Sequence, residues 1–180
     1  SSIVTTSAQS EQLLKKGGLF TTPLLEISGT LDVYIDGADE VDPRLNLIKG
    51  GGGALTSEKI VANNAKKFIC IVDESKLVKK LGKFPLPVEV ISSAVPSISR
   101  IFSDDYNAIP REREGFTEHG NRIIDVAGLE IESPENLERE LNQIPGVVTV
   151  GLFCTLKPNS CLVGYDDEVK EFFKKDVINL

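Results

Sequence analysis

Leu31-Asp32-Val33-Tyr34-Ile35-Asp36-Gly37-Ala38-Asp39-Glu40, then Leu47-Ile48-Lys49-Gly50-Gly51-Gly52-Gly53-Ala54-Leu55-Thr56-Ser57-Glu58-Lys59, then Phe68-Ile69-Cys70-Ile71-Val72-Asp73 are the segments whose reading decides the fold. Leu31–Ile35 is apolar and β-branched and stops at Asp36-Gly37, as a strand does. From Leu55 to Lys67 the spacing of Ile60, Val61, Ala65 and Phe68 is helical. Phe68–Val72 is an unbroken apolar run ending at Asp73, which suits a parallel strand covered on both faces. Strand, helix, strand in this order is the mark of an α/β layered domain. The loops at the carboxyl ends of such strands form the edge where ligands bind.

Working outward, Ser2–Thr6 reads as a short strand. Ser7–Lys16 reads as a helix capped by Ser7, with Leu13 and Leu14 on its apolar side, ended by Gly17-Gly18. Leu24–Ile27 reads as a short strand and Ser75–Leu81 as a second helix. Phe84–Ile91, with Pro85 and Pro87, suits an edge strand or a connection between lobes. Beyond it the pattern predicts a helix over Pro96–Phe102 and a polar stretch over Ser103–Glu114. A hairpin follows over Gly115–Val126, turning at Gly120-Asn121. A helix capped by Ser133 with Pro134 at its first position runs to about Ile144, and a strand spans Val147–Phe153. Cys161–Lys174 starts extended and has a polar tip at Asp166-Asp167. The expected class is α/β: a Rossmann-like parallel sheet layered with helices, plus a smaller α+β second lobe. The first lobe takes residues 1–86 and 159–180, and the second takes 87–158.

Composition narrows function. With 41% hydrophobic and 26% charged residues the chain is neither disordered nor a disulfide scaffold. Its formal net charge of -7, from 27 acidic and 20 basic residues, argues against nucleic acid as a partner. The three cysteines form no CxxC pair, and Cys70 lies in an apolar run, as a buried structural thiol would. The longest apolar stretches are too short to span a bilayer, so no membrane partner is expected. These features describe a cytoplasmic protein of a reducing compartment. The single histidine, His119, sits in turn chemistry, which makes a zinc site or a histidine-based nucleophile system a poor fit.

The chemistry concentrates in the quoted loops. Four consecutive glycines followed by a helix offer bare backbone N–H groups at a positive helix end, an anion or oxyanion site. No Lys-Ser/Thr follows them and G-x-G-x-x-G is not met, so a nucleotide cofactor is not expected. Taken singly, Glu58 is an acid placed well for the helix dipole, Asp36 and Asp39 are turn formers, and Lys49 is a surface lysine. Together, three carboxylates and an ammonium bracket a glycine nest. That is equipment for moving a proton beside a carbonyl: the carboxylate abstracts it, and the ammonium and N–H groups stabilise the enolate oxygen.

Asp36-Gly37-Ala38-Asp39-Glu40, Lys49-Gly50-Gly51-Gly52 with Leu55–Lys59, Val72-Asp73-Glu74-Ser75-Lys76, Leu81–Ile91 and Ile144–Phe153 resemble ribose-5-phosphate isomerase, type A. The resemblance covers nearly the whole chain in order. It implies interconversion of ribose 5-phosphate and ribulose 5-phosphate through an enediol(ate), in the pentose phosphate pathway, with no metal and no cofactor. By motif, Glu58 resembles the catalytic base, Asp36 to Asp39 the sugar-hydroxyl loop, with Asp36 assisting ring opening, and Lys49 with Gly50, Gly51 and Gly52 the loop that holds substrate and stabilises the charged oxygen. Lys76 resembles a substrate-binding lysine at the next strand end. The partners implied are a phosphorylated pentose and further copies of the chain, in a homo-oligomeric dimer or tetramer. Two departures stand out. The chain begins near the family's second strand, without the upstream helix, first strand and Gly-Thr-Gly-Ser/Thr phosphate loop. The family's Asp-Asn-Gly-Asn turn appears as Glu118-His119-Gly120-Asn121. An alternative of another class is a sugar-phosphate sensor of related fold, and a third is a structural fragment without activity. Glu58 together with Lys49 favours the enzyme, because a sensor needs no proton-abstracting base.

Overall fold

The computed structural model describes residues 2–178. Its first sheet has the order β1 (Tyr34–Asp36), β4 (Phe68–Asp73), β10 (Ser160–Gly164), β11 (Val169–Phe173). β1, β4 and β10 are parallel, and β11 closes the edge antiparallel to β10. A small sheet of β2 (Glu40–Val41), β3 (Leu47–Ile48) and β9 (Leu152–Phe153) follows. The third sheet, antiparallel throughout, has the order β6 (Ile109–Glu112), β7 (Arg122–Ala127), β5 (Leu86–Val90), β8 (Val147–Val150). The helices are α1 (Ala8–Lys16), α2 (Leu55–Asn63), α3 (Val95–Asp104) and α4 (Pro134–Leu141).

The small sheet joins two cores because side chains alternate along a strand. Leu47 and Phe153 enter the core built on Tyr34, Phe68, Cys70 and Cys161, while their neighbours Ile48 and Leu152 enter the core built on Val88, Phe102, Ile124 and Leu141. The main chain at this junction is pinned by Gly151, between β8 and β9. Its N–H donates to Pro87 O at 2.7 Å and its carbonyl accepts from Lys49 N at 2.8 Å. A Cβ at this position would lie 2.3 Å from the Lys49 carbonyl oxygen, so only glycine fits.

Several expectations need correction. Residues 2–5 form no strand, because no ladder is offered to them beyond one bond from Thr22 N to Ile3 O. Leu24–Glu26 is a single 3-10 turn after Pro23 rather than a strand. α1 is capped by Ser7 as expected, but it buries no residue, and Leu13 is exposed. β1 starts only at Tyr34, opposite Phe68, and Leu31 makes an isolated bridge to Ala65. α2 ends at Asn63 with Asn64 as its C-cap, short of Lys67. β4 packs on one face: Phe68, Cys70 and Val72 are buried, while Ile71 is 47% exposed.

Ser75–Leu81 contains only a 3-10 turn, Glu74–Lys76, because Leu77 pairs with Val41 instead. β5 is a central strand, not an edge. Pro87 faces Gly151, whose carbonyl accepts from Lys49 N instead, so the missing donor leaves no acceptor unpaired there. The polar stretch hides β6, an edge strand with Pro110. The hairpin therefore joins β6 to β7 through the loop 113–121, with Gly120 in its closing turn. Ser133 makes no side-chain cap to α4, which ends at Leu141, and Val147–Phe153 splits at Gly151 into strands of two sheets. Among the described residues no helix is long and apolar enough to cross a membrane.

Candidate active site

β1 and β4 run parallel in register, Asp36 opposite Cys70, so the residues after both strands emerge at one edge of the sheet. Tyr34 and Asp36 are two apart and share the inward face, where the Tyr34 hydroxyl donates to Asp36 Oδ2. Asp36 Oδ1 accepts from Gly37 N at 2.8 Å. Lys49 leaves the end of β3 and is fixed at its own N–H by Gly151. Its Nζ lies 3.0 Å from Asp36 Oδ2, 2.5 Å from Gly37 O and 3.3 Å from Glu58 Oε2.

Gly50 and Gly53 have positive φ, 94° and 86°, and Gly53 N donates back to Gly50 O at 2.9 Å, so the glycines form a tight turn rather than a slack loop. Gly51 N donates to Asp39 Oδ2 at 2.8 Å. The turn feeds α2, which no side chain caps, and puts Glu58 in its first turn. Asp36, Gly37, Ala38, Asp39, Lys49, Gly50, Gly51, Gly52 and Glu58 line one cleft of about 230 Å³. Nine of the ten expected site residues are thus together. Lys76 is the exception. It lies half-buried in the turn after β4, outside the lining of this cleft.

The electrostatics of the cleft suit proton transfer. Burial is the largest influence on Glu58 and raises its pKa; Lys49 opposes this, while the Asp36 charge adds to it. Glu58 Oε2 is buried and accepts no well-directed hydrogen bond, so Lys49 holds it as an ion pair and leaves its lone pairs unspent. Burial of Lys49 works against its ammonium, but Glu58 and Asp36 outweigh that and raise its pKa, keeping it charged. Burial and the Asp36 charge push the Tyr34 phenol well above its ordinary range, so it serves as a donor. Among the described residues no cluster of His, Cys, Asp and Glu is arranged to hold a metal.

The family model for ribose 5-phosphate isomerase A (phosphoriboisomerase A) matches residues 2–168. The chain belongs to the ribose 5-phosphate isomerase A family. Within it, the chain is 49% identical over 170 residues to ribose-5-phosphate isomerase A of Leptothrix cholodnii, covering 93% of this chain and 76% of that one. It is 52% identical over 167 residues to that of Stenotrophomonas maltophilia, covering 92% and 77%. The crystal structure of ribose 5 phosphate isomerase A from Neisseria gonorrhoeae superposes with a TM-score of 0.90 at 45% identity, over 95% of this chain and 76% of that one. A D-ribose-5-phosphate isomerase in complex with phospho-erythronic acid gives a TM-score of 0.89 at 42% identity, over 94% and 76%. The chain therefore spans about three quarters of the length of these family members.

Several residues that hold this cleft together carry little signal in the sequence. Tyr34 had a signal, its i, i+2 spacing to Asp36. Glu89, fully buried at the centre of β5, accepts from Thr56 Oγ1 of α2 at 2.5 Å and from Thr117 Oγ1 and Asn121 Nδ2 at 2.9 Å, tying α2 to the loop 113–121. His119, exposed in its turn, also brings its Nε2 to 2.9 Å from Ser57 Oγ of α2. No local pattern announces such contacts across sheets.

Proposed function

We propose that this chain interconverts D-ribose 5-phosphate and D-ribulose 5-phosphate through an enediolate, with Glu58 as the base. The observation that carries this reading is a largely buried carboxylate in the first turn of α2, a helix that no side chain caps, paired to a buried lysine beside a glycine turn, in a member of this family. The Glu58 carboxylate takes the proton from C2 of the open-chain aldose. The C–H pair becomes the C1=C2 bond, and the carbonyl π pair moves onto O1. Transfer of the O2 proton to O1 and return of the Glu58 proton to C1 leave the carbonyl at C2. Burial makes Glu58 a stronger base than an ordinary carboxylate, and Lys49 keeps it ionised.

Asp36 is proposed to assist ring opening, Asp36 to Asp39 to hold the sugar hydroxyls, Lys49 with Gly50, Gly51 and Gly52 to hold substrate and the developing charge, and Lys76 to contact the substrate from the end of β4. The lobes are proposed as residues 1–86 with 159–180, and 87–158. A homo-oligomer and a cytoplasmic location are proposed from the family resemblance. The test is an aldose–ketose assay of the chain against Glu58→Gln. The variant is expected to lose about 10²- to 10⁴-fold in kcat, and equal turnover in both would sink the base.

A further inference from the structure

Arg113, just after β6, belongs to no motif, yet its guanidinium reaches the glycine turn. One edge is locked: Nε donates to Asp125 Oδ2 at 2.8 Å and Nη2 to Asp125 Oδ1 at 2.5 Å, a two-point clasp on β7. The free Nη1 donates to Gly51 O at 3.1 Å and more weakly to Gly50 O at 3.4 Å. A fork fixed by a carboxylate thus places positive charge on the outer side of the loop that lines the cleft.

The carbonyl of Gly51 and the N–H of Gly52 are two ends of one peptide group. A cation on the oxygen draws electron density from the nitrogen and strengthens the N–H as a donor. Among the described residues the Gly52 N–H has no protein acceptor, and Gly52 lines the cleft with Lys49 and Glu58. The Lys49 ammonium cannot carry the whole of the developing charge, because it is already shared among Asp36, Gly37 O and Glu58. We infer that Arg113 is a positioning residue that turns the Gly51–Gly52 peptide into the oxyanion donor of the cleft. The inference rests on the isomerase reading above and adds a residue from outside the cleft to it.

Two measurements test it. The first is steady-state kinetics of Arg113→Met and Arg113→Lys, with thermal unfolding as a fold check. Loss of a donor that acts only on the developing charge lowers kcat and leaves KM alone, so about a tenfold fall in kcat is expected for Arg113→Met with KM within about twofold. Arg113→Lys keeps the charge without the fork and recovers part of the loss. A change in unfolding temperature with kcat within twofold of the parent would overturn the inference, leaving Arg113 a strut. The second is calorimetric binding of two probes: 4-phospho-erythronic acid, which carries an anionic carboxylate, and ribitol 5-phosphate, which is neutral at that end. Arg113→Met should weaken only the first, about tenfold. Equal loss for both probes, or for neither, would overturn it. If the parent chain turns nothing over, the isomerase reading fails on that result alone, and the two probes still decide the role of Arg113.

Discussion

Gly51→Ala isolates a single hydrogen bond in the cleft. The backbone at Gly51 is not in the left-handed region, so alanine is conformationally tolerated there. Space is the obstacle: the new Cβ would fall 2.5 Å from Asp39 Oδ1 and 3.0 Å from Cγ. The carboxylate is the movable partner, and in moving it gives up the 2.8 Å bond from Gly51 N. A hydrogen bond to a charged group is worth about 1.5–3 kcal/mol, which corresponds to about a ten- to 150-fold loss if Asp39 acts in the transition state. The assay is kcat/KM on ribose 5-phosphate for the parent, Gly51→Ala, Asp39→Ala and the double variant. The two changes strike the same interaction, so Asp39→Ala should cost less in the Gly51→Ala background than in the parent. A value of kcat/KM within twofold of the parent for Gly51→Ala, or full additivity in the cycle, would refute the reasoning that Asp39 must sit against this peptide to work.

Lys49→Met removes the one influence that pulls the Glu58 pKa down, while burial and Asp36 still push it up. Since Glu58 works only when ionised, the acid limb of kcat/KM should move to higher pH, and an unmoved limb in a pH-rate profile counts against Glu58 as the base. Lys59 is a different case, because its ammonium is buried among Glu138 Oε1 and the carbonyls of Val150 and Leu152, at 2.9, 2.8 and 2.7 Å. Lys59→Met leaves the buried Glu138 without its cation. The expected cost is about 3–5 kcal/mol, or a fall of about 6–20 °C in the unfolding midpoint by calorimetry, whereas a fall under about 3 °C would show the pair to be neutral.

The chemistry was more legible than the fold that carries it. Asp36, Lys49 and Glu58 stood at the ends of short elements beside distinctive neighbours, and glycines after a strand and before a helix have few structural uses, so the sequence could place them in one cleft. Elements held by tertiary pairing were less legible. β5 carries two features of an edge strand, Pro87 and a polar Glu89, yet it is buried between β7 and β8; Pro87 escapes because the Gly151 carbonyl opposite it is taken by Lys49 N, and Glu89 because three donors reach it. β6 is polar and exposed, so no periodicity marks it. Lys76 followed a motif as well preserved as the others, but the loss of the expected helix after β4 leaves it outside the cleft lining.

The pinning of Lys49 by Gly151 also has a consequence for synthesis. The two residues are 102 positions apart (151 minus 49), and β4 likewise waits for β10 to flank it. A ribosome delivers residues at about 5–20 per second, so the lysine and its glycines emerge several seconds before the backbone that fixes them. During that interval the nascent chain carries every charged group of the cleft with only the β1–β4 and β2–β3 pairs available, before β9 and β10 complete the two sheets. Assembly of the site must therefore be a late event, completed from the carboxyl-terminal side, and a pause in translation before Gly151 would prolong a stage at which the growing chain cannot be active.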